Sequence, residues 1–180
     1  MIKKFCSAVL IMIFVFVPIL SSYAASEKID SDLIYSAGTK STKQFLVTIT
    51  RPDGNESTFK KSYVICGVSE DEKAEDIGIK LLIYDEQSDS YVDYKNTDGA
   101  SSWELGKYGI FIKEILLPDE GENKIRIVAY RKSQSDNLVL GKNLQVNNFT
   151  ITVLNEDIKE KIKNGIQKIT DILKGIFSIK

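Results

Sequence analysis

The sequence predicts an all-β fold, an antiparallel β-sandwich that is followed by a C-terminal amphipathic α-helix. Between residues 44 and 154, seven or eight short segments alternate apolar and polar residues, and clusters of turn-forming residues separate them. After residue 154 the apolar residues recur every three or four positions, as one face of a helix requires. No helical pattern interrupts the strand-like segments, which argues against a parallel sheet built from strand–helix–strand units.

The first 24 residues have the features of a secretory signal peptide. Lys3 and Lys4 precede a nearly unbroken apolar run from Phe5 to Leu20, and small residues, Ser22 and Ala24, follow at the positions that precede a cleavage site. The run is shorter than the roughly 20 residues that span a bilayer, which favours cleavage over a retained anchor. We therefore expect cleavage after Ala24 and a secreted protein or one on the extracellular cell surface.

The predicted mature chain has 156 residues, 180 minus 24, which fits one domain with a sizeable core. Loss of Lys3 and Lys4 changes the formal net charge from −1 to −3. This balance argues against nucleic acid as a partner, because nucleic acid calls for a basic surface. Cys66 remains as a single cysteine, which excludes an internal disulfide. We interpret it as a small buried core residue, since a reactive thiol would have no histidine to activate it.

The chain divides into a linker, a sandwich and a tail. Residues 25–43 are polar and have no sustained period, and we assign them to an N-terminal linker. A two-residue period begins at Phe45, and we assign residues 44–154 to the sandwich. The segment 108–117 is apolar on both predicted faces. A turn rich in Pro, Asp, Gly and Asn connects it to the next alternating strand, near Lys124.

Several short motifs resemble, in their order and spacing, the immunoglobulin-like β-sandwich modules of bacterial secreted and surface proteins. The motifs are a strand ending in glycine, a Gly-x-Phe, a leucine, a Gly-x-Asn turn and an alternating strand ending in alanine: Tyr63–Gly67, Gly109–Phe111, Leu117, Gly121–Asn123 and Ile125–Ala129. With a similar closing strand at 149–154, the resemblance covers about residues 44–154. Many such modules have an acidic residue after the alanine, where this chain has Tyr130. The resemblance implies a fold and an extracellular location but no single function, because such modules serve as spacers, adhesins and appendages to enzymes.

Residues 155–180 form the predicted helical tail and contain the candidate interaction residues. Asn155 is a favourable N-cap, and Glu156 and Asp157 suit the positive end of a helix. We call the candidates, which share one face of the helix, the apolar stripe: Ile158, Ile162, Ile166, Ile169, Leu173, Ile176 and Phe177.

The period does not say what the apolar stripe faces. Four alternatives stay open, namely packing on the sandwich or on the chain's own linker, a membrane surface, a second copy or partner helix, and a frayed terminus. The tail carries six lysines and four acids, and this net charge of +2 mildly supports a membrane surface.

Residues for several kinds of site chemistry are absent. The sequence contains no histidine, which excludes Ser–His and Cys–His nucleophile pairs and histidine zinc sites. Acidic residues cluster at 70–76, 85–89 and 119–122, where paired carboxylates could hydrolyse glycosides or bind calcium. None of these clusters follows an EF-hand pattern, and we interpret them as solvated loop charge. We interpret four aromatic residues as core or edge packing, and not as a platform for sugar rings: Tyr91, Tyr94, Trp103 and Tyr108.

Together these features predict an exported, non-catalytic binding or structural module, without a cofactor or a metal, at the bacterial cell surface or outside the cell. The expected partner is an unidentified protein, the cell wall or a membrane surface, and self-association through the tail helix stays open. The alternative is a membrane-peripheral protein attached through its C-terminal amphipathic helix. An enzyme that uses loop carboxylates is a third class.

Overall fold

The computed structural model describes residues 31–177, and the predicted signal peptide lies outside this range. The protein is predominantly β, with two sheets and a C-terminal helix, as the sequence predicted. The strands of the described range are β1 (Thr48–Arg51), β2 (Glu56–Thr58), β3 (Ser62–Val68), β4 (Ile77–Asp85), β5 (Ser90–Asp93), β6 (Ser102–Glu104), β7 (Ile110–Leu116), β8 (Gly121–Arg131) and β9 (Leu144–Val153). The α-helices are α1 (Ser31–Tyr35) and α2 (Glu156–Phe177), and short 3-10 turns lie at Ala74–Asp76 and Lys132–Asn137.

The strands form a small sheet, in the order β1-β3-β7, and a larger sheet, in the order β2-β9-β8-β4-β5 with β6 also paired to β4. Most neighbours are antiparallel, but β2 runs parallel to β9, with Glu56 opposite Ile151 and Thr58 opposite Val153. The prediction of an antiparallel sandwich is therefore wrong for this pair, and the larger sheet is mixed. A parallel pair requires a long connection, which is provided here by all the strands between β2 and β9.

The main core consists of the inward side chains of both sheets. Ile65 on β3 and Ile79 and Leu81 on β4 are fully buried in it, as is Leu117 just beyond β7. These residues come from segments in which apolar residues alternate, because successive side chains of a strand point to opposite faces. Truncation of one of them to alanine removes about 2–5 kcal/mol of stability.

The larger sheet is also covered on its outer face, by the chain before β1. Ile34 on α1 is fully buried in a second apolar cluster with residues such as Leu82 and Val128. The backbone N–H of Thr42 donates to the carbonyl of Val146 at 2.8 Å. The described part of the segment that we assigned to a linker thus packs on the sheet, although its apolar residues are too few to form a period.

The turn between β7 and β8 is organised by a buried asparagine. The side-chain amide of Asn123 donates to the carbonyls of Asp119, at 3.0 Å, and Gly121, at 3.1 Å. Its Oδ1 accepts the N–H of Asp119 at 3.1 Å. Gly121 adopts a positive φ of 94° that disfavours other residues. The Gly-x-Asn sequence therefore reverses the chain between the two sheets.

Candidate interaction surface

Helix α2 begins directly after the last strand. The N–H of Leu154 donates to the carbonyl of Thr58 at 2.7 Å, and so extends the pairing of β9 with β2. The side chain of Asn155 then accepts the N–H of Ile158 at 3.1 Å, as an N-cap does. Only Leu154 and Asn155 separate β9 from α2. Both residues form hydrogen bonds, so the junction has little conformational freedom.

The apolar stripe is exposed along its length. Its exposed fractions run from 38% at Ile158 to 60% at Ile166 and Ile169, and are 48% at Leu173 and 59% at Ile176. Ile162 is 48% exposed, and the side chain of Phe177 lies outside the described part of the chain. In this structure the described side chains of the stripe, from Ile158 to Ile176, are exposed and not covered by the sandwich, so they are available to a partner.

The charged residues of α2 are ordered around the helix axis. A helical step of about 100° per residue places lysines along both borders of the stripe. These are Lys159 and Lys163 on one side and Lys161 and Lys168 on the other, whereas Lys174 lies farther out on the polar face. Glu160 and Asp171 fall on the opposite side of the helix, near the middle of the polar face. Five lysines and four acids give α2 a net charge of +1, and without Glu156 and Asp157 of the first turn the net charge is +3.

Gly165 lies inside α2 without a structural requirement for glycine. A Cβ atom placed on Gly165 would have no heavy atom within 4 Å, so no neighbouring element approaches the helix there. Glycine in a helix interior is about 1 kcal/mol less favourable than alanine. This position therefore weakens α2 and gains no contact in return.

A second apolar surface lies on the outer face of the small sheet. Ile110 is 54% exposed, Ile112 is 63% exposed and Leu116 is 49% exposed. Cys66 pairs with Ile112 on this face and is half-buried, so our prediction of a core cysteine is wrong. Tyr63 and Ile65 take the inward positions of β3, which turns Cys66 outward. The sequence signal for this surface was the segment 108–117, which is apolar on both faces.

The acidic loops are tied to neighbouring residues. The Arg131 guanidinium donates to both carboxylate oxygens of Asp71 and holds the pKa of that carboxyl below its usual range. The carboxylate of Asp76 accepts the backbone N–H of Ser133 at 2.8 Å and its hydroxyl at 2.7 Å. Burial opposes a low pKa at Asp76, but these two hydrogen bonds and the positive charges of Arg131 and Lys132 together lower the pKa. These two carboxylates thus stabilise the loop conformations.

Two of the acidic clusters meet at one groove. The groove has a volume of about 540 Å³ and is lined by residues 83–87 and by residues 119, 120 and 122–124. Asp85 in this groove accepts the hydroxyl of Ser88 at 2.7 Å and the N–H of Gln87 at 3.2 Å. Across residues 31–177, no group of three or more cysteine, aspartate or glutamate residues is arranged to hold a metal ion.

The four aromatic residues that we singled out occupy two kinds of environment. Tyr91, Tyr94 and Trp103 are at most 9% exposed, whereas Tyr108 is 83% exposed. The three buried rings support packing, and no row of exposed rings forms from these four residues.

Neither the helices of the described range nor comparison with known proteins identifies a function or a family. Neither helix is both long and apolar enough to cross a membrane. Comparison of the chain with protein families, with curated proteins and with solved structures found no match.

Proposed function

We propose that this chain is an exported, non-catalytic binding or structural module that is attached to the cell surface through α2. The single observation that carries the proposal is the exposed apolar stripe on a capped helix that extends a folded β-body. The packed sheets and the order of the motifs support an immunoglobulin-like sandwich as that body. Such modules serve as spacers or present a binding surface, and α2 would attach this one to the cell.

Burial of the apolar stripe would provide enough energy for attachment. Complete burial of an exposed Ile or Leu side chain contributes about 1.5–3 kcal/mol. Six stripe side chains that are about half exposed would therefore contribute on the order of 5–9 kcal/mol before the costs of association. That gain is much larger than scattered surface apolar residues provide, and it favours a role for the helix in binding over a role in folding.

Fractionation of producing cells tests the attachment. We compare the full chain with a chain that ends at Asn155, and we separate medium, wall and membrane. We expect the full chain to stay with the cells and the shortened chain to appear in the medium with an unchanged thermal unfolding midpoint.

A pair of single substitutions on the helix provides matched controls. Ile166→Ser removes one stripe side chain, whereas Gln167→Ser changes its neighbour on the polar face. We expect release of the Ile166→Ser protein and retention of the Gln167→Ser protein. Appearance of the full chain and the shortened chain in the medium in equal proportion would contradict attachment through α2.

Export has its own test. Mass spectrometry of the protein from the culture should give a chain that begins at Ala25. A protein that remains in the cytoplasm with Met1 to Ala24 attached would refute the proposed export, whatever α2 binds.

A further inference from the structure

We infer that the surface bound by α2 is an anionic phospholipid membrane, on which the helix lies parallel to the plane with its apolar stripe inserted between headgroups and acyl chains. This inference rests on the proposed attachment function and names its partner. Three observations support it: the position of the charges around α2, the width of the apolar face, and the short junction between β9 and α2.

The charges of α2 match a lipid headgroup layer. Lysines line both borders of the stripe, so their alkyl stems can lie along the acyl boundary while the ammonium groups reach the phosphates. Glu160 and Asp171 lie on the opposite side of the helix, where they would face water and not an anionic surface. Over the whole of α2 the net charge is only +1, because Glu156 and Asp157 lie in its first turn. Beyond that turn, between residues 158 and 176, it is +3, and the lysines beside the stripe add attraction to anionic headgroups to the gain from apolar burial.

The width of the apolar face favours a membrane over a coiled coil. A heptad seam runs only from Ile162 to Ile176, which is about two heptads, whereas coiled coils are indicated by three to four or more. Ile172 lies outside that seam and widens the apolar face from about 80° to about 120°, whereas Ile158 lies at the same angle as Ile176. Ile172 is also 62% exposed. A short helix with a broad apolar face suits a bilayer surface, because lipid can contact a large part of the circumference of the helix.

The junction before α2 disfavours the chain's own small sheet as the occupant. The outer face around Ile112 is apolar, but it belongs to the other sheet. Leu154 continues the pairing with Thr58, and Asn155 caps the helix, so turning α2 back over the other sheet would break one of these two hydrogen bonds. The stripe therefore remains available to an external surface.

Vesicle binding by the mature chain, residues 25–180, tests the inference. We measure co-sedimentation with vesicles of phosphatidylcholine alone and of phosphatidylcholine with about one third phosphatidylglycerol, a fraction that gives a clearly negative surface. We expect binding to the anionic vesicles to be at least about tenfold tighter than to neutral ones, and to weaken as salt screens the charges.

Two double variants with the same change of charge provide the control. Lys161→Gln with Lys168→Gln removes charge from one border of the stripe, and Lys40→Gln with Lys43→Gln removes it from the exposed chain before β1. We expect the first pair to weaken binding to anionic vesicles by about fivefold or more. The second pair should leave that binding within about twofold of the unchanged protein.

Sedimentation equilibrium without lipid separates the remaining outcomes. A monomer that binds anionic vesicles supports the inference. A dimer that Ile166→Ser dissociates, together with no vesicle binding, would assign the stripe to a second copy and overturn it. Equal binding to neutral and anionic vesicles would also overturn it, since the lysines would then contribute nothing. If cells retain the full chain while vesicles do not bind it, the proposed attachment stands and the lipid assignment fails.

Discussion

The hydroxyl of Tyr94 forms two hydrogen bonds with the backbone of Leu116, donating to its carbonyl at 2.7 Å and accepting its N–H at 2.8 Å. Leu116 is the last residue of β7, which pairs only with β3 in the described part of the chain and is an edge strand there. The carbonyl of Gly109 accepts the N–H of Ser69, and the N–H of Leu117 donates to the carbonyl of Lys61, so both extend the pairing of β7 just beyond the ends of β3. Because backbone groups alternate in direction along a strand, those of Leu116 point to the free edge. Tyr94 thus closes one end of an edge that could otherwise pair with another strand.

Tyr94→Phe is expected to destabilise the protein by about 1–2 kcal/mol, because the partly buried N–H and carbonyl of Leu116 would lose their partner. Urea unfolding at equilibrium measures the change. Tyr108→Phe is the matched control, since Tyr108 is 83% exposed and should lose almost nothing. Equal stability of the two variants would show that the Tyr94 hydroxyl contributes nothing at this edge.

Arg126→Met is expected to release the chain before β1 from the larger sheet. Arg126 is fully buried, and its guanidinium donates to the carbonyls of Ile34 at 2.6 Å, Ser36 at 2.9 Å and Thr39 at 3.0 Å. Loss of these donors removes the partner of the Ile34 carbonyl, at about 1–3 kcal/mol while that group stays buried. The carbonyls of Ser36 and Thr39 keep the backbone N–H of Thr39 and the side-chain amide of Asn148, respectively, as donors.

Limited proteolysis and urea unfolding measure the effect of Arg126→Met. We expect faster cleavage within residues 36–43 and lower stability, while β3 and β7 remain protected. Lys142→Met, at an exposed position, is the control and should change neither property. Unchanged proteolysis in the Arg126→Met protein would mean that Ile34 and its apolar neighbours hold the segment without the arginine.

Local sequence patterns predicted the strands and the tail helix. The β2–β9 pairing and the burial of Ile34 and Arg126 depend on contacts between residues that are distant in sequence. Ile79 and Leu81 are buried where the two-residue alternation placed them, and α2 begins after Asn155 as its cap predicted. The pairing of β2 with β9 was missed because a strand of three residues that follows the turn-forming segment 52–55 has too little local signal. Burial of Ile34 and Arg126 was missed for the same kind of reason, since their partners lie about 50 to 110 residues away in sequence.

The sequence predicted only part of the candidate interaction surface. The helical period identified the apolar stripe, but exposure of Ile166 or Leu173 depends on whether another element covers them. The outer face around Ile112 had a signal, because β7 is apolar on both faces, yet the period could not tell which face is inside. Partners of Cys66 and Tyr63 across the small sheet settled that choice.

Gly165→Ala is expected to strengthen α2 by about 1 kcal/mol, because alanine restricts the unfolded chain and meets no neighbour at this position. Hydrogen exchange of the amides between residues 160 and 170 should slow by about fivefold. Gly121→Ala is a control of opposite sign, since a φ of 94° is strained for alanine and should destabilise the β-body. Unchanged exchange in the Gly165→Ala protein would show that glycine does not limit the helix.

Tyr63→Phe is expected to remove part of the loss of stability at high pH. Tyr63 is 2% exposed and donates to the carboxylate of Glu56 at 2.7 Å. Burial, opposed by Arg51 and reinforced by Glu56, raises the pKa of Tyr63 to about 12, whereas an unfolded tyrosine titrates near 10. Above pH 10 the unfolded chain releases this proton while the folded chain keeps it, so stability is complete below pH 10 and declines as pH rises toward 12.

Urea unfolding between about pH 9 and pH 12 measures this decline, and the slope against pH isolates Tyr63 from the constant cost of its lost hydrogen bond. We expect a shallower slope for Tyr63→Phe than for the unchanged protein above pH 10. Tyr108→Phe, which alters an exposed ring, should leave the slope as it is. Equal slopes for all three proteins would mean that Tyr63 ionises alike in the folded and unfolded chains, and that its burial between Arg51 and Glu56 does not hold the proton.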